Sequence, residues 1–207
     1  MTTGVEIPGE EHSGTIASVE NRKKNPKLTA AGKKDENWYP GDTLQASIGQ
    51  SDNSVTPIQL ASYASTIANG GTRYQLHLIK SVEDNNGKTI TETKPKVLDS
   101  INFSDETYSA ITRGMRMVVT EGTGANAFKG CKVDVAAKSG SAQTGRHTNG
   151  LYIAYAPYDN PKIAVAVVIE KAGGGSDAAP VARKVIEKYF ANETEYDGFI
   201  EGNILIG

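Results

Sequence analysis

Cysteine is almost missing from these 207 residues: Cys131 stands alone, so no disulfide can close within the chain. With few apolar neighbours and no histidine nearby, it has nothing to activate it as a nucleophile. Histidine is equally scarce. His12, His77 and His147 lie scattered without metal-ligand spacing, which argues against a zinc centre, and no motif asks for a cofactor. Long apolar runs are missing too, and none approaches the ~20 residues of a membrane span. The first residues carry no basic-then-apolar leader. If the natural protein is exported or anchored, that part lies outside this chain. Neither sign of charge dominates. Lys and Arg number 22 against 24 Asp and Glu, a formal net charge of −2, which speaks against a nucleic-acid partner. The basic clusters Arg22-Lys23-Lys24 and Lys33-Lys34 sit among Asn, Pro and Gly and are expected in solvated loop.

What is present suits a folded domain with a real core. Residues 1–14 read as extended loop, and 15–42 as a long loop that the lone Trp38 pins to the core. Ser51-Asp52-Asn53-Ser54 reads as a turn. Thr56-Pro57-Ile58-Gln59 is a capping box, with proline suited to the first helical turn. Leu60, Ala61, Ala64, Ile67 and Ala68 recur at helical spacing up to Gly70-Gly71, and their small size predicts a buried helix. Tyr74 to Val82 and Thr89 to Thr93 read as strands joined at Asn86-Gly87, ended by Lys94-Pro95-Lys96. Ser104-Asp105-Glu106 opens a second helix that presents Tyr108, Ile111, Met115 and Val118.

The last third predicts a three-stranded antiparallel meander: Val133 to Gln143, Leu151 to Ala156, and Lys162 to Glu170. A polar loop, Thr144 to Gly150, joins the first two. Gly173-Gly174-Gly175-Ser176 reads as a flexible joint, since it lacks the Lys-Ser/Thr ending of a phosphate loop. It leads into a helix from about Asp177 to Phe190 with Val181, Val185, Ile186 and Tyr189 as its apolar face. The acidic tail from Asn192 is weakly specified. The fold class is α+β: an antiparallel sheet flanked by helices.

The chemistry concentrates on the first strand of the meander. Side chains alternate along a strand, so Lys138 and Gly140 share one face while Ser139 and Ser141 share the other. A twisted edge can still bring the cation and the hydroxyls to one groove, where they would hold a carboxylate. Gly140 removes a side chain where a ligand backbone would approach, and the N–H after it is a candidate oxyanion donor. The plainer reading is a solvated edge strand in which Lys, Gly and Ser protect against edge pairing. His147 reads as a polar loop residue rather than a general base. Glu121, Glu170 and Asp177 have no spacing that makes an acid/base couple.

Lys138-Ser139-Gly140-Ser141-Ala142-Gln143 resembles the Lys-Thr/Ser-Gly motif of penicillin-binding proteins and serine β-lactamases. The surroundings are similar to the transpeptidase domain of class B penicillin-binding proteins, of the penicillin-binding protein 2 kind. Thr3-Gly4-Val5-Glu6-Ile7-Pro8-Gly9-Glu10 resembles their Thr-Gly-(Ile/Val)-Asp-Leu-Pro-x-Glu segment. Gly41-Asp42, Ser47-Ile48-Gly49-Gln50, Val55-Thr56-Pro57-Ile58-Gln59-Leu60-Ala61 and Ile67-Ala68-Asn69-Gly70-Gly71 resemble their Ile-Gly-Gln-Gly to Thr-Pro-Leu-Gln block. Val118-Val119 with Gly122-Thr123-Gly124 matches the segment before the motif strand. Tyr155-Ala156-Pro157 and Asn160-Pro161-Lys162-Ile163-Ala164-Val165 match the strands after it. The likeness runs in order along nearly the whole chain.

The resemblance implies a partial penicillin-binding-protein/serine β-lactamase-like fold. It implies one domain over 1–207, the C-terminal portion of a transpeptidase domain, with a frame over 1–130 and the motif strand, two further strands and the closing helix over 131–207. It implies acyl transfer from D-Ala-D-Ala stem peptides, the cross-linking step of cell-wall synthesis, and acylation by β-lactams. Lys138 would supply positive potential at the nucleophile and the substrate carboxylate. Ser139 and Ser141 would bind that carboxylate beside Gly140, the backbone N–H of Ser141 would be an oxyanion donor, and Gln143 would line the far end.

The family's nucleophile lies in Ser-x-x-Lys, and no serine here has lysine three residues on. Ser51-Asp52-Asn53 spells the second motif, Ser-x-Asn, but in the place of a connecting loop. The chain is therefore expected to be a fragment that lacks both motifs and two N-terminal strands, inactive alone and covalently reactive with β-lactams only when the missing serine is supplied. The expected partners are stem peptide, the rest of the domain, and further copies through an exposed sheet edge. The parent is expected in the bacterial cell membrane with this domain outside, the fragment itself being soluble. The alternative is a non-catalytic module that binds stem peptide or β-lactam. A β-lactamase or β-lactam sensor is disfavoured by the Thr-Pro-Ile-Gln block.

Overall fold

The structure, a computed structural model, describes residues 2–6, 9 and 11–196. The chain divides into two compact units, Met1–Tyr63 with Thr72–Ser100 and Ala64–Gly71 with Ile101–Gly207.

In the first unit the expected long loop over 15–42 is ordered. It holds helix α1 (Val19–Lys24), the antiparallel pair β1 (Lys27–Leu28) and β2 (Lys34–Asp35), and helix α2 (Pro40–Ser47). Ser18 caps α1 by accepting the Asn21 N–H at 3.1 Å. Pro40 opens α2, and the Asp42 carboxylate accepts the Tyr39 N–H at 2.9 Å. Neither helix shows a periodic apolar stripe. What orders them is a buried cation. Arg22 is 2% exposed, so the solvated-loop expectation fails there, although Lys23, Lys24, Lys33 and Lys34 are exposed. Its guanidinium donates to Asp42 at 2.8 Å and to Asp52 at 2.7 Å, and it lies 5.4 Å from the centre of the Trp38 ring. Lys27 reaches the same two carboxylates at 3.1 and 3.3 Å.

Helix α3 (Pro57–Ala68) begins with the expected reciprocal cap: the Thr56 N–H donates to Gln59 Oε1 at 2.9 Å and the Gln59 N–H to Thr56 Oγ1 at 3.3 Å. Burial is confined to Ser62, Ala64, Thr66, Ile67 and Ala68, so the helix is half-buried in its first turn rather than buried throughout. The single strand expected over Tyr74 to Val82 is two. β3 (Thr72–Tyr74) pairs with β6 (Val97–Ser100), a strand that Lys94-Pro95-Lys96 hid, and β4 (Ser81–Glu83) pairs with β5 (Thr89–Glu92). Residues between β3 and β4 bond the N-terminal segment instead, with the Leu76 N–H donating to Thr3 O at 3.2 Å and the Leu78 N–H to Glu6 at 2.8 Å. The Asn86-Gly87 turn forms as expected, with Gly87 at φ +79°.

In the second unit Ser104 caps α4 (Asp105–Thr120), which buries Thr112, Met115 and Val119. A short α5 (Ala125–Phe128) follows, too brief for any period to announce it. Strands β7 (Ala136–Thr144), β8 (His147–Ala156) and β9 (Ile163–Ile169) form the expected meander in the order β7-β8-β9, all antiparallel. The expected polar loop shrinks to Gly145-Arg146, because pairing continues to Thr144↔His147 and Gly145 adopts φ +60°. His147 is thus the exposed first residue of β8.

The 3-10 turn Gly175–Ala178 leads into α6 (Ala179–Tyr196), so the segment from Asn192 continues as helix to Tyr196, and the rest of the acidic tail lies outside the described residues. The apolar face of α6 differs from expectation. Val181 and Val185 are 45% and 43% exposed, and the stripe against the sheet is Ala178, Ala179, Ala182 and Ile186, each fully buried. Alanines set backbone against backbone, so the helix packs closely on β8 and β9, in one core with Ala154 and Val165. No helix of the described residues is long and apolar enough to cross a membrane.

Candidate functional site

Strand β7 is buried where it enters the sheet, at Ala136 and Ala137, and emerges at Lys138. The Lys138 ammonium folds along the strand and donates to the Ser139 carbonyl at 2.5 Å. On the opposite face, in line with buried Ala137, the Ser139 hydroxyl lies 2.9 Å from Thr123 Oγ1. Two residues on, Ser141 Oγ accepts the Gly175 N–H at 3.0 Å. Gln143 is exposed beside the tight turn, opposite Thr148.

A cleft of about 380 Å³ between α4 and β7 collects Lys138 and Ser139 with Met117, Val118, Glu121 and Thr123. The structure thus brings the cation and the first hydroxyl to one opening. The Ser141 hydroxyl is turned to the 3-10 turn, and neither Ser141 nor Gln143 lines the cleft.

The backbone of β7 has a readable parity. In an antiparallel ladder, residues whose N–H and C=O both bond the neighbouring strand alternate with residues whose groups both face away. The Asp134 carbonyl accepts from Tyr158, just past β8, at 2.8 Å. The Val135 carbonyl accepts from Arg116 of α4 at 2.9 Å, on the other side, and Arg116 also pairs with Asp134. The Ser139 carbonyl accepts from Lys138. Even positions therefore face β8 and odd positions face the rim, Ser141 among them.

Two residues that shape this edge do so against expectation: the sequence reads Gly175 as part of a flexible joint and gives Thr123 no role. Gly175 packs on the strand: a Cβ there would sit 2.5 Å from Gly140 O, 2.7 Å from its N and 2.9 Å from its carbonyl carbon. The Gly173 N–H donates to Asp177 Oδ2 at 2.7 Å. The glycine run is accordingly a packed turn and not a flexible joint. Thr123 is the other, and the glycines flanking it were the available signal. Beneath them, burial pushes the Tyr152 phenol up to about 12, and its ring lies 6.1 Å from that of Phe128.

Ser51-Asp52-Asn53 belongs to the first unit and works as a turn. Ser51 takes φ +67°, Asp52 pairs with Arg22, and Asn53 Oδ1 accepts the Ala17 N–H while its amide donates to Gln50 O, both at 2.8 Å. Cys131 is half-buried against the core of the second unit, outside the cleft.

Residues 23–187 match the family model described as the penicillin binding protein transpeptidase domain. The peptidoglycan D,D-transpeptidase MrdA of Haemophilus influenzae is 36% identical over 210 residues, covering 91% of this chain and 30% of that protein. Penicillin-binding protein 2B of Streptococcus pneumoniae superposes with a TM-score of 0.72 at 27% identity, over 97% of this chain and 31% of that one. Penicillin-binding protein A of M. tuberculosis, solved as a ceftriaxone acyl-enzyme, superposes with a TM-score of 0.68 at 28% identity, over 89% of this chain and 40% of that one. The chain spans under a third of the length of the curated relative named here.

Proposed function

The chain belongs to the penicillin-binding protein transpeptidase family, and from that premise we propose that it forms one wall of a peptidoglycan D,D-transpeptidase site. In this reading a serine attacks the D-Ala-D-Ala carbonyl of a stem peptide, D-Ala leaves, and the amine of a second stem peptide takes the acyl group. Lys138 supplies positive potential to the substrate carboxylate and the nucleophile. Ser139 binds the carboxylate, the Ser141 N–H stabilises the oxyanion while its hydroxyl holds the 3-10 turn against the strand, Gly140 leaves room for the substrate backbone, and Gln143 lies at the far end.

The observation that carries the reading is that Lys138 and the Ser139 hydroxyl share one cleft on a strand whose odd-numbered backbone groups face its rim. No serine in residues 1–207 is followed three places on by lysine, so the attacking serine comes from outside them. Both compact units belong to one transpeptidase domain whose remaining part supplies that serine. The whole protein is anchored in the cell membrane with this domain on the outer side, and β-lactams acylate it through the same serine. Exposed rims of the sheet favour self-association of the chain on its own.

Incubation of the 207-residue chain with a fluorescent penicillin is expected to give no label that survives denaturation, and such a label would overturn the assignment of the nucleophile. Calorimetric titration with an acyl-D-Ala-D-Ala peptide is expected to show saturable binding that Lys138→Ala weakens by about tenfold, the weight of one charge-assisted hydrogen bond. The absence of Ser-x-x-Lys also favours a second reading, a non-catalytic stem-peptide or β-lactam module. The whole protein separates the two: covalent labelling there selects the enzyme, and peptide binding without labelling selects the module.

A further inference from the structure

We propose that Thr123 is a positioning residue for the carboxylate-binding hydroxyl of Ser139, an inference that rests on the transpeptidase reading above. Two hydroxyls 2.9 Å apart share one hydrogen bond. The pair carries two protons and spends one between them, so the second is directed elsewhere. Both residues line the cleft that holds Lys138. An anion drawn in by the ammonium therefore meets one hydroxyl proton whose direction is fixed by the partner hydroxyl. Ser139 without Thr123 would rotate among its staggered positions, and ordering it would fall on the ligand.

The segment carrying Thr123 holds it still. After α4 the Gly122 N–H donates to Met117 O at 2.8 Å, the Gly124 N–H to Val118 O at 2.9 Å and the Ala125 N–H to Gly122 O at 3.1 Å. A side chain at Gly122 would press on Val118 Cα at 2.9 Å, and one at Gly124 would collide with the Tyr152 hydroxyl. Each neighbour of Thr123 is thus confined to glycine by a close contact, one with α4 and the other with β8. Tyr152 stands opposite Ser139 in the strand register. The same cross-strand pair therefore sets both members of the hydroxyl couple, Ser139 directly and Thr123 through Gly124.

Calorimetry on the 207-residue chain tests this with an acyl-D-Ala-D-Ala peptide and its C-terminal amide. Thr123→Val keeps the shape and removes the hydroxyl, and Thr123→Ser keeps the hydroxyl. The expected result is a preference for the acid over the amide in the wild type, about tenfold loss of acid binding in Thr123→Val with amide binding unchanged, and recovery in Thr123→Ser. A Thr123→Val chain that melts like the wild type and keeps the acid preference overturns the role of Thr123 and leaves the carboxylate reading standing. Equal loss of acid and amide binding, or no recovery in Thr123→Ser, also overturns it, since either marks a structural role. A wild type that does not bind or does not prefer the acid overturns the carboxylate reading, and this inference with it.

Discussion

Gly175→Ala is expected to lower the melting temperature of the chain by about 6–12 °C, at roughly 2–4 °C for each kcal/mol in a chain this size. The cost is about 3 kcal/mol, the upper end of what overpacking inflicts, because the obstruction is backbone. The added Cβ would lie 2.5 Å from Gly140 O and 2.7 Å from Gly140 N. Strand β7 cannot yield, since it is paired with β8 from Ala136↔Tyr155 to Thr144↔His147. The turn must rise instead, breaking the Gly175 N–H bond to Ser141 Oγ and unseating Ala178, which is fully buried. Gly140→Ala is the control. Its Cβ would meet only Leu151 Cβ, at 3.5 Å, an ordinary contact, so stability should stay within about 0.5 kcal/mol. Thermal unfolding followed by circular dichroism separates the two variants, and equal melting would mean that the turn does not press on the strand. The fold thus needs glycine at 175 and not at 140. Under the proposed function, Gly140→Ala should keep the fold and weaken peptide binding.

Arg22→Ala is expected to cost about 2 kcal/mol, less than the ~3–5 kcal/mol of breaking a fully buried ion pair, because the guanidinium is buried but the carboxylates are partly exposed. Two carboxylates would be left facing each other across the vacated space. Lys27, at 3.1 and 3.3 Å from them, would temper the loss without replacing the second guanidinium arm. The effect should depend on pH. The Arg22 guanidinium, with help from the Tyr39 N–H, holds the Asp42 carboxyl well below the usual carboxylate range. A carboxylate depressed in the folded state adds stability that is complete above its unfolded pKa, near ~4, and is lost as pH falls towards the folded value. Wild-type stability should therefore decline below about pH 4, and Arg22→Ala should flatten that slope. Trp38, the only tryptophan, lies against the guanidinium, so its fluorescence follows the unfolding directly. Parallel acid slopes in wild type and variant would remove Arg22 from the account.

The two ends of the chain differ in how far local pattern foretold them. Helices α3 and α4 announce themselves through Thr56 with Gln59 and through Ser104, because capping acts within one turn. The meander was legible because Leu151 to Ala156 and Ile163 to Ile169 are apolar runs bounded by turns, and Asn86-Gly87 because a tight turn needs φ > 0. Residues 15–42 were not legible, since α1 and α2 are ordered by Arg22 reaching Asp42 and Asp52, partners 20 and 30 residues away. Strand β6 was hidden because its partner is distant in sequence. On α6 the valines drew attention, but the sheet accepts the alanine stripe, which allows the closer approach. In the candidate site, Lys138 to Ser141 stood out as a cluster of chemistry-bearing residues. The contacts of Thr123 and Gly175 did not, because the glycines around them mark a close approach without saying which neighbour makes it.

The parity of β7 also bears on how the strand meets solvent over time. The amides of Ala136, Lys138, Gly140 and Ala142 point into the ladder with β8, and they trade hydrogen with water only when the sheet opens. Those of Ala137, Ser139 and Gln143 point to the rim, where local cover sets the pace. One nine-residue strand thus keeps two clocks. The slow clock records the stability of the second unit, and the fast one records what lies along the rim.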